Sequence, residues 1–107
     1  MLVIDDEKIV LESCSRIFSA EGFEVTTTDK ARRGLELAVE GTFDVILCDM
    51  MMSELSGMDL HRWLVAHHPR LARQLIFVTG GAFTPRARAY LAEVDNPRLD
   101  KPFDAAR

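Results

Sequence analysis

The stretch Val45-Ile46-Leu47-Cys48-Asp49 decides the fold. Four consecutive apolar residues do not suit a strand with one wet face, where polar and apolar side chains alternate. Such a run belongs to a parallel strand covered on both sides. Asp49 closes it with a carboxylate at the carboxyl end. Working outward, Leu75-Ile76-Phe77-Val78 is a second buried run, ending in Thr79-Gly80-Gly81, and Leu2-Val3-Ile4 is a shorter one leading into Asp5-Asp6-Glu7. Two weaker strand segments complete the set. Glu24-Val25-Thr26-Thr27 is half polar and suits a sheet edge, and Arg98-Leu99-Asp100 precedes Lys101-Pro102-Phe103.

Helical spacing fills the intervals. Val10, Cys14, Ile17 and Phe18 recur at helical period from Lys8 to Ala20, with Gly22 as the stop. Thr28 or Asp29 is placed to cap a second helix that turns Ala31, Leu35 and Ala38 inward, with Gly41 after its end. Met58–His67 reads as a third helix, halted near His68-Pro69 because the residue before proline disfavours helical geometry. Thr84-Pro85 combines a cap with a first-turn proline and starts a fourth helix running to about Val94. Five strands alternating with four helices predict a doubly wound α/β fold, a parallel sheet with helices on both faces. A further helix is expected after Phe103, and the chain stops before it. The expectation is one domain, residues 1–107, truncated ahead of its last helix.

The bulk composition agrees and excludes several functions. The chain has 107 residues, 48% hydrophobic and 28% charged, the balance of an ordinary globular domain. The net charge is −4, and basic residues gather only at Arg32-Arg33 and Arg86/Arg88, which argues against nucleic-acid binding. No apolar run is long enough to span a bilayer, and the N-terminus lacks a signal-peptide pattern, so a cytoplasmic location is expected. Cys14 and Cys48 lack metal-ligand spacing and are read as reduced, buried thiols. His61, His67 and His68 are read as surface residues, and Trp63 and the Met50–Met52 run as packing.

In an open parallel sheet, ligands bind beyond the carboxyl ends of the strands. Those ends carry Asp5 and Asp6, Asp49, Thr79 and Lys101, so three carboxylates, a hydroxyl and an ammonium are predicted to meet on one rim. Two charges about 4 Å apart repel by roughly 4 kcal/mol at an effective dielectric near 20, so such a rim calls for a cation. Mg²⁺, an oxygen-seeking octahedral ion that keeps waters for an incoming phosphate, fits that need, as does Mn²⁺. With the charge neutralised, Asp49 can attack phosphorus, Lys101 can hold the transferring oxygens, and Thr79 can donate to the product beside Gly80.

Taken together and in order, Val3-Ile4-Asp5-Asp6-Glu7, Asp49 with Gly57 eight residues on, Val78-Thr79-Gly80-Gly81 and Lys101-Pro102-Phe103 resemble the response-regulator receiver family of two-component signalling. The resemblance implies a five-stranded flavodoxin-like sheet in the order 2-1-3-4-5, with its fifth helix missing here. It implies phosphorylation of Asp49 by the phosphohistidine of a histidine kinase or phosphotransfer domain, followed by hydrolysis. It also implies Mg²⁺ on Asp6, Asp49 and the backbone carbonyl of Met51, with Asp5 acting through water. Thr79 becomes the switch hydroxyl, Lys101 the phosphate-binding lysine, and a homodimer is compatible. The domain would be a phospho-acceptor that assists its own phosphorylation and dephosphorylation. The phrases Val78–Gly81 and Asn96–Phe103 look most like receivers of hybrid histidine kinases.

The chain departs from the family pattern at two places within its motifs. Ser53 stands where proline is usual, and Arg98 where many members carry an aromatic switch residue. Ile9, Ser13 and Arg16, beside the core-facing arc of the first helix, form a candidate partner face together with Arg98. Two other functions compete. A phosphorylation-independent interaction module would keep the fold without using Asp49. A phosphatase with an aspartyl-phosphate intermediate needs a second aspartate two residues after the nucleophile, where Met51 stands.

Overall fold

The computed structural model describes residues 1–52, 54–80 and 84–101. Its elements run β1 (Leu2–Ile4), α1 (Lys8–Ala20), β2 (Thr26–Thr28), α2 (Ala31–Glu40), β3 (Ile46–Asp49), α3 (Gly57–His67), α4 (Pro69–Arg73), β4 (Leu75–Thr79), α5 (Pro85–Glu93) and β5 (Arg98–Asp100). The five strands form one sheet in the order β2-β1-β3-β4-β5, and every pairing is parallel. The doubly wound reading and the 2-1-3-4-5 order are both present.

The uninterrupted apolar runs do what their composition requires. All four residues of β3 and nearly all of β4 are buried. On one face Leu2, Ile4, Ile46, Cys48, Leu75 and Phe77 pack under residues of α2, α3, α4 and α5. On the other, Val3, Leu47 and Val78 pack against Val10, Leu11 and Cys14 of α1. β2 lies at the sheet edge, and its threonines are largely exposed, as a half-polar strand should be. Both cysteines are free and buried.

Helix ends are set by local chemistry. α1 finishes in a two-bond turn, with Gly22 N–H donating to Ser19 O at 3.0 Å and Phe23 N–H to Phe18 O at 3.0 Å. Gly22 takes φ 97°, a left-handed conformation that glycine adopts without a steric cost. The Phe18 and Phe23 rings meet edge-on at 6.1 Å and close the turn. Thr84 caps α5 by accepting from Ala87 N–H at 3.1 Å, and Ser56 caps α3 by accepting from Asp59 N–H at 3.1 Å.

The structure differs from the sequence reading in four local respects. There are five helices among the described residues, not four, because a short helix begins at Pro69. α3 does stop at His68, but proline at a first helical position restarts the chain as α4. α2 starts one residue after the expected caps: Lys30 occupies its N-cap without a side-chain bond, while Thr28 Oγ1 accepts from Lys30 N–H at 3.2 Å. His61 is buried, 4% exposed, where its Nδ1 meets the Tyr90 hydroxyl at 2.5 Å and its ring meets Phe77 edge-on. Trp63 is partly exposed and stacks on His67 at 4.2 Å instead of joining the core. The expected helix after Phe103, Ser53 and Gly81 lie outside the described residues.

Candidate functional site

Backbone pairing continues past the strand ends and fixes the rim. Asp5 N–H donates to Thr28 O at 3.2 Å, Met50 N–H to Val78 O at 2.9 Å, and Lys101 N–H to Thr79 O at 2.8 Å. Asp5, Asp49, Thr79 and Lys101 are thereby carried to one edge of the sheet by four different strands. Gly57 allows α3 to start against this edge. A Cβ there would lie 2.6 Å from Asp49 O and 3.0 Å from Met50 Cα, both backbone atoms that cannot yield cheaply, and Gly57 N–H bonds Met50 O at 3.0 Å.

Lys101 is the hub of the charged groups. Its Nζ lies 3.0 Å from Asp5 Oδ2, 2.8 Å from Glu7 Oε1 and 3.5 Å from Asp49 Oδ1. Asp5 and Asp49 are almost fully buried, and Asp6 is exposed. Asp5 Oδ1 accepts from Glu7 N–H at 2.8 Å, and Asp49 Oδ1 accepts from Met51 N–H at 3.4 Å. Burial, and then the charge of Asp5, push the Asp49 carboxyl up to about 6, against the pull of Lys101. Burial likewise raises Asp5. Burial disfavours the Lys101 ammonium, but its contacts with Glu7 and Asp5 and the charge of Asp49 outweigh that, so its pKa rises. The lysine therefore stays charged, while the carboxylates are held in a state that favours an added cation.

The donor set fits a hard divalent ion. Asp5, Asp6 and Asp49 can each offer one oxygen with all three atoms within 4.8 Å of one another. Asp5 Oδ2 is buried and accepts no well-directed hydrogen bond, although Lys101 stands near it as an ion-pair partner. An all-oxygen set of converging carboxylates suits Mg²⁺ better than a thiolate- or imidazole-seeking metal.

Two sequence-predicted residues sit differently from the expected arrangement. The Thr79 hydroxyl, itself buried, donates to Asp100 Oδ1 at 2.8 Å. A Cβ at Gly80 would meet nothing within 4 Å, so space on that side does not depend on glycine. Met51 is 43% exposed beside the pocket. In the candidate partner face, Ile9 is 70% exposed, Arg16 and Arg98 are exposed, and Ser13 is half-buried.

Sequence reasoning missed Glu7 as a partner of Lys101 and Asp100 as the partner of Thr79. Glu7 occupies the N-cap of α1 without a side-chain capping bond, which leaves its carboxylate to Lys101. Asp100 becomes visible only through the register that sets it opposite Thr79. An open cleft of about 300 Å³ beside His61, Ala72, Arg73 and Asn96 lies elsewhere and is lined by none of the strand-end acids. Among the described residues, no helix is long and apolar enough to cross a membrane.

Comparison with known proteins gives the same picture. Over 60 residues the chain is 38% identical to response regulator SaeR of Staphylococcus epidermidis, covering 56% of this chain and 26% of that protein. The chain thus spans about a quarter of the length of the curated relatives it matches. A response regulator receiver domain protein from Clostridium thermocellum superposes with a TM-score of 0.81 at 34% identity, covering 98% of this chain and 83% of that one. Vibrio cholerae chemotaxis protein CheY4 superposes with a TM-score of 0.82 over 98% of this chain and 88% of its own, and at 24% identity it speaks for the fold alone. The response regulator receiver domain model matches residues 1–107, the whole span that carries the acidic rim and its lysine, and the chain belongs to that family.

Proposed function

We propose that Asp49 accepts a phosphoryl group from the phosphohistidine of a histidine kinase or phosphotransfer domain. The observation that carries this reading is a buried Asp49 at the end of β3 that shares the Lys101 ammonium with the neighbouring Asp5 carboxylate. A carboxyl whose pKa is raised only to about 6 is still mostly ionised at neutral pH and is a stronger base than a free aspartate. In the transfer, an Asp49 carboxylate oxygen forms a bond to phosphorus as the phosphorus–nitrogen bond to the donor imidazole breaks. The electron pair of that bond stays on the imidazole. In the return step, water attacks phosphorus, the bond to Asp49 breaks, and inorganic phosphate leaves.

Asp5, Asp6 and Asp49, with the backbone carbonyl of Met51, would hold Mg²⁺ or Mn²⁺. The ion supplies charge neutralisation and a hold on the phosphoryl oxygens. Lys101 moves from its carboxylate partners onto the phosphoryl oxygens as charge develops there. Thr79 donates its hydroxyl to the bound group, with Gly80 beside it. Residues 1–107 act as one cytoplasmic receiver unit, and the resemblance of Val78–Gly81 and Asn96–Phe103 to hybrid-kinase receivers supports a place in a larger kinase. The gene sequence around this segment tests that last point.

The function is tested with a small phosphodonor. Acetyl phosphate should label the chain in Mg²⁺ and not in EDTA, and Asp49→Asn should abolish the label. Label that survives in Asp49→Asn removes the site assignment, and partner binding that is indifferent to that substitution favours a phosphorylation-independent module.

A further inference from the structure

The Thr79 hydroxyl is committed before any phosphoryl group arrives. Thr79 is 1% exposed, and its Oγ1 donates to Asp100 Oδ1 at 2.8 Å. The register sets these residues opposite each other at the last rung of the β4–β5 ladder, and Lys101 N–H locks the rung by bonding Thr79 O at 2.8 Å. A hydroxyl carries one proton to donate. While it serves Asp100 it cannot serve a phosphoryl oxygen on Asp49. The carboxylate acceptor makes the existing bond charge-assisted, stronger than a bond to a neutral oxygen. Arg98 lies two residues before Asp100, so the two side chains share a face of β5, and both residues are exposed.

We infer that Asp100 is a positioning residue that holds Thr79 away from the acceptor in the unphosphorylated chain, and that phosphorylation of Asp49 is reported by loss of the Thr79–Asp100 bond. The inference rests on the acceptor reading given above. The hydroxyl rotates from one oxygen to another; no proton is transferred and no covalent bond changes. The Asp100 carboxylate is released at the sheet edge, on the face that carries Arg98. A chain with arginine at the usual aromatic position can in this way signal through charge at β5. Because Asp100 competes with the phosphoryl group for one donor, removing it favours the phosphoryl-bound state.

Beryllofluoride, which mimics a phosphoryl group on a carboxylate, provides the test by calorimetric titration of the full chain in Mg²⁺. Asp100→Ala should bind it about five-fold more tightly than the wild type, the worth of one freed hydrogen bond. Asp100→Asn, which keeps a weaker neutral acceptor, should fall between the two. In a Thr79→Val background the gain from Asp100→Ala should vanish, since the competed donor is gone. An unchanged or weaker affinity in Asp100→Ala overturns the inference. So does a gain of the same size in the Thr79→Val background, which would trace it to removal of negative charge near the pocket. Binding by the wild type with no Asp100 effect leaves the acceptor reading standing and removes only the inference. Failure of the wild type to bind removes both.

Discussion

Replacing Asp49 with asparagine should make the metal-free protein more stable at pH 7.5, although the side chain is buried and paired. The buried carboxyl titrates near 6 instead of its ordinary 3.8, a value that already includes the attraction of Lys101. At ~1.4 kcal/mol for each tenfold change in proton affinity, that gap corresponds to a native-state penalty of about 3 kcal/mol at neutral pH. This is an upper bound, because the substitution also removes one partner of Lys101. The sign follows from proton counting. Between pH 3.8 and about 6 the native state holds more protons at Asp49 than the unfolded chain does, so this group's penalty grows as pH rises through that window. Below the window both states are protonated and the penalty is gone. Urea unfolding in EDTA should therefore show Asp49→Asn ahead of the wild type by about 1–3 kcal/mol at pH 7.5, with the difference shrinking toward pH 4. A less stable variant at pH 7.5, or a difference that does not change with pH, would refute the electrostatic reasoning.

Other consequences are open to direct measurement. Lys101→Met leaves Asp5 and Asp49 facing each other without their shared cation, and should cost about 2 kcal/mol or more of unfolding free energy in EDTA, much of it recovered on adding Mg²⁺. Gly57→Ala forces a methyl against the Asp49 carbonyl and Met50 Cα; denaturant unfolding should show a loss of about 1–3 kcal/mol, and acetyl-phosphate labelling should fall with it. Burial lowers the pKa of His61, and a hydrogen bond that its ring donates to the Asn96 side chain opposes that only in part. The unfolded chain therefore binds more protons at this position, and stability should fall as pH drops below 6.5. Asp49 works in the opposite direction over part of the same range, so the His61 slope is best read in Asp49→Asn, where His61→Gln should flatten it.

The sequence was most informative where composition leaves few alternatives. The unbroken runs at Val45–Cys48 and Leu75–Val78 are short, apolar and bounded by polar or glycine residues, as buried parallel strands are, and the polar residues that end them then have one place to meet. Thr84-Pro85 and Gly22 acted as written, because cap and left-handed-turn chemistry are local. α4 was hidden because five residues are too few to show a helical period, and Pro69, read as a stop, also serves as a start. His61 was misjudged by polarity. It continues the stripe of Met58 and Leu64 on the buried side of α3, and its period carried the better signal. Glu7 and Asp100 could not be assigned from spacing, since their partners Lys101 and Thr79 are brought to them by strand register alone.

Where the phosphoryl group goes decides whether Asp49 is the acceptor. Intact-mass and peptide-mapping spectrometry of the chain, after exposure to a phosphohistidine donor in Mg²⁺, measures exactly that. An acceptor role for Asp49 predicts one added phosphoryl group per chain, located on that residue, absent in EDTA and absent in Asp49→Asn. A phosphoryl group mapped to any other residue, or still present in Asp49→Asn, would contradict it.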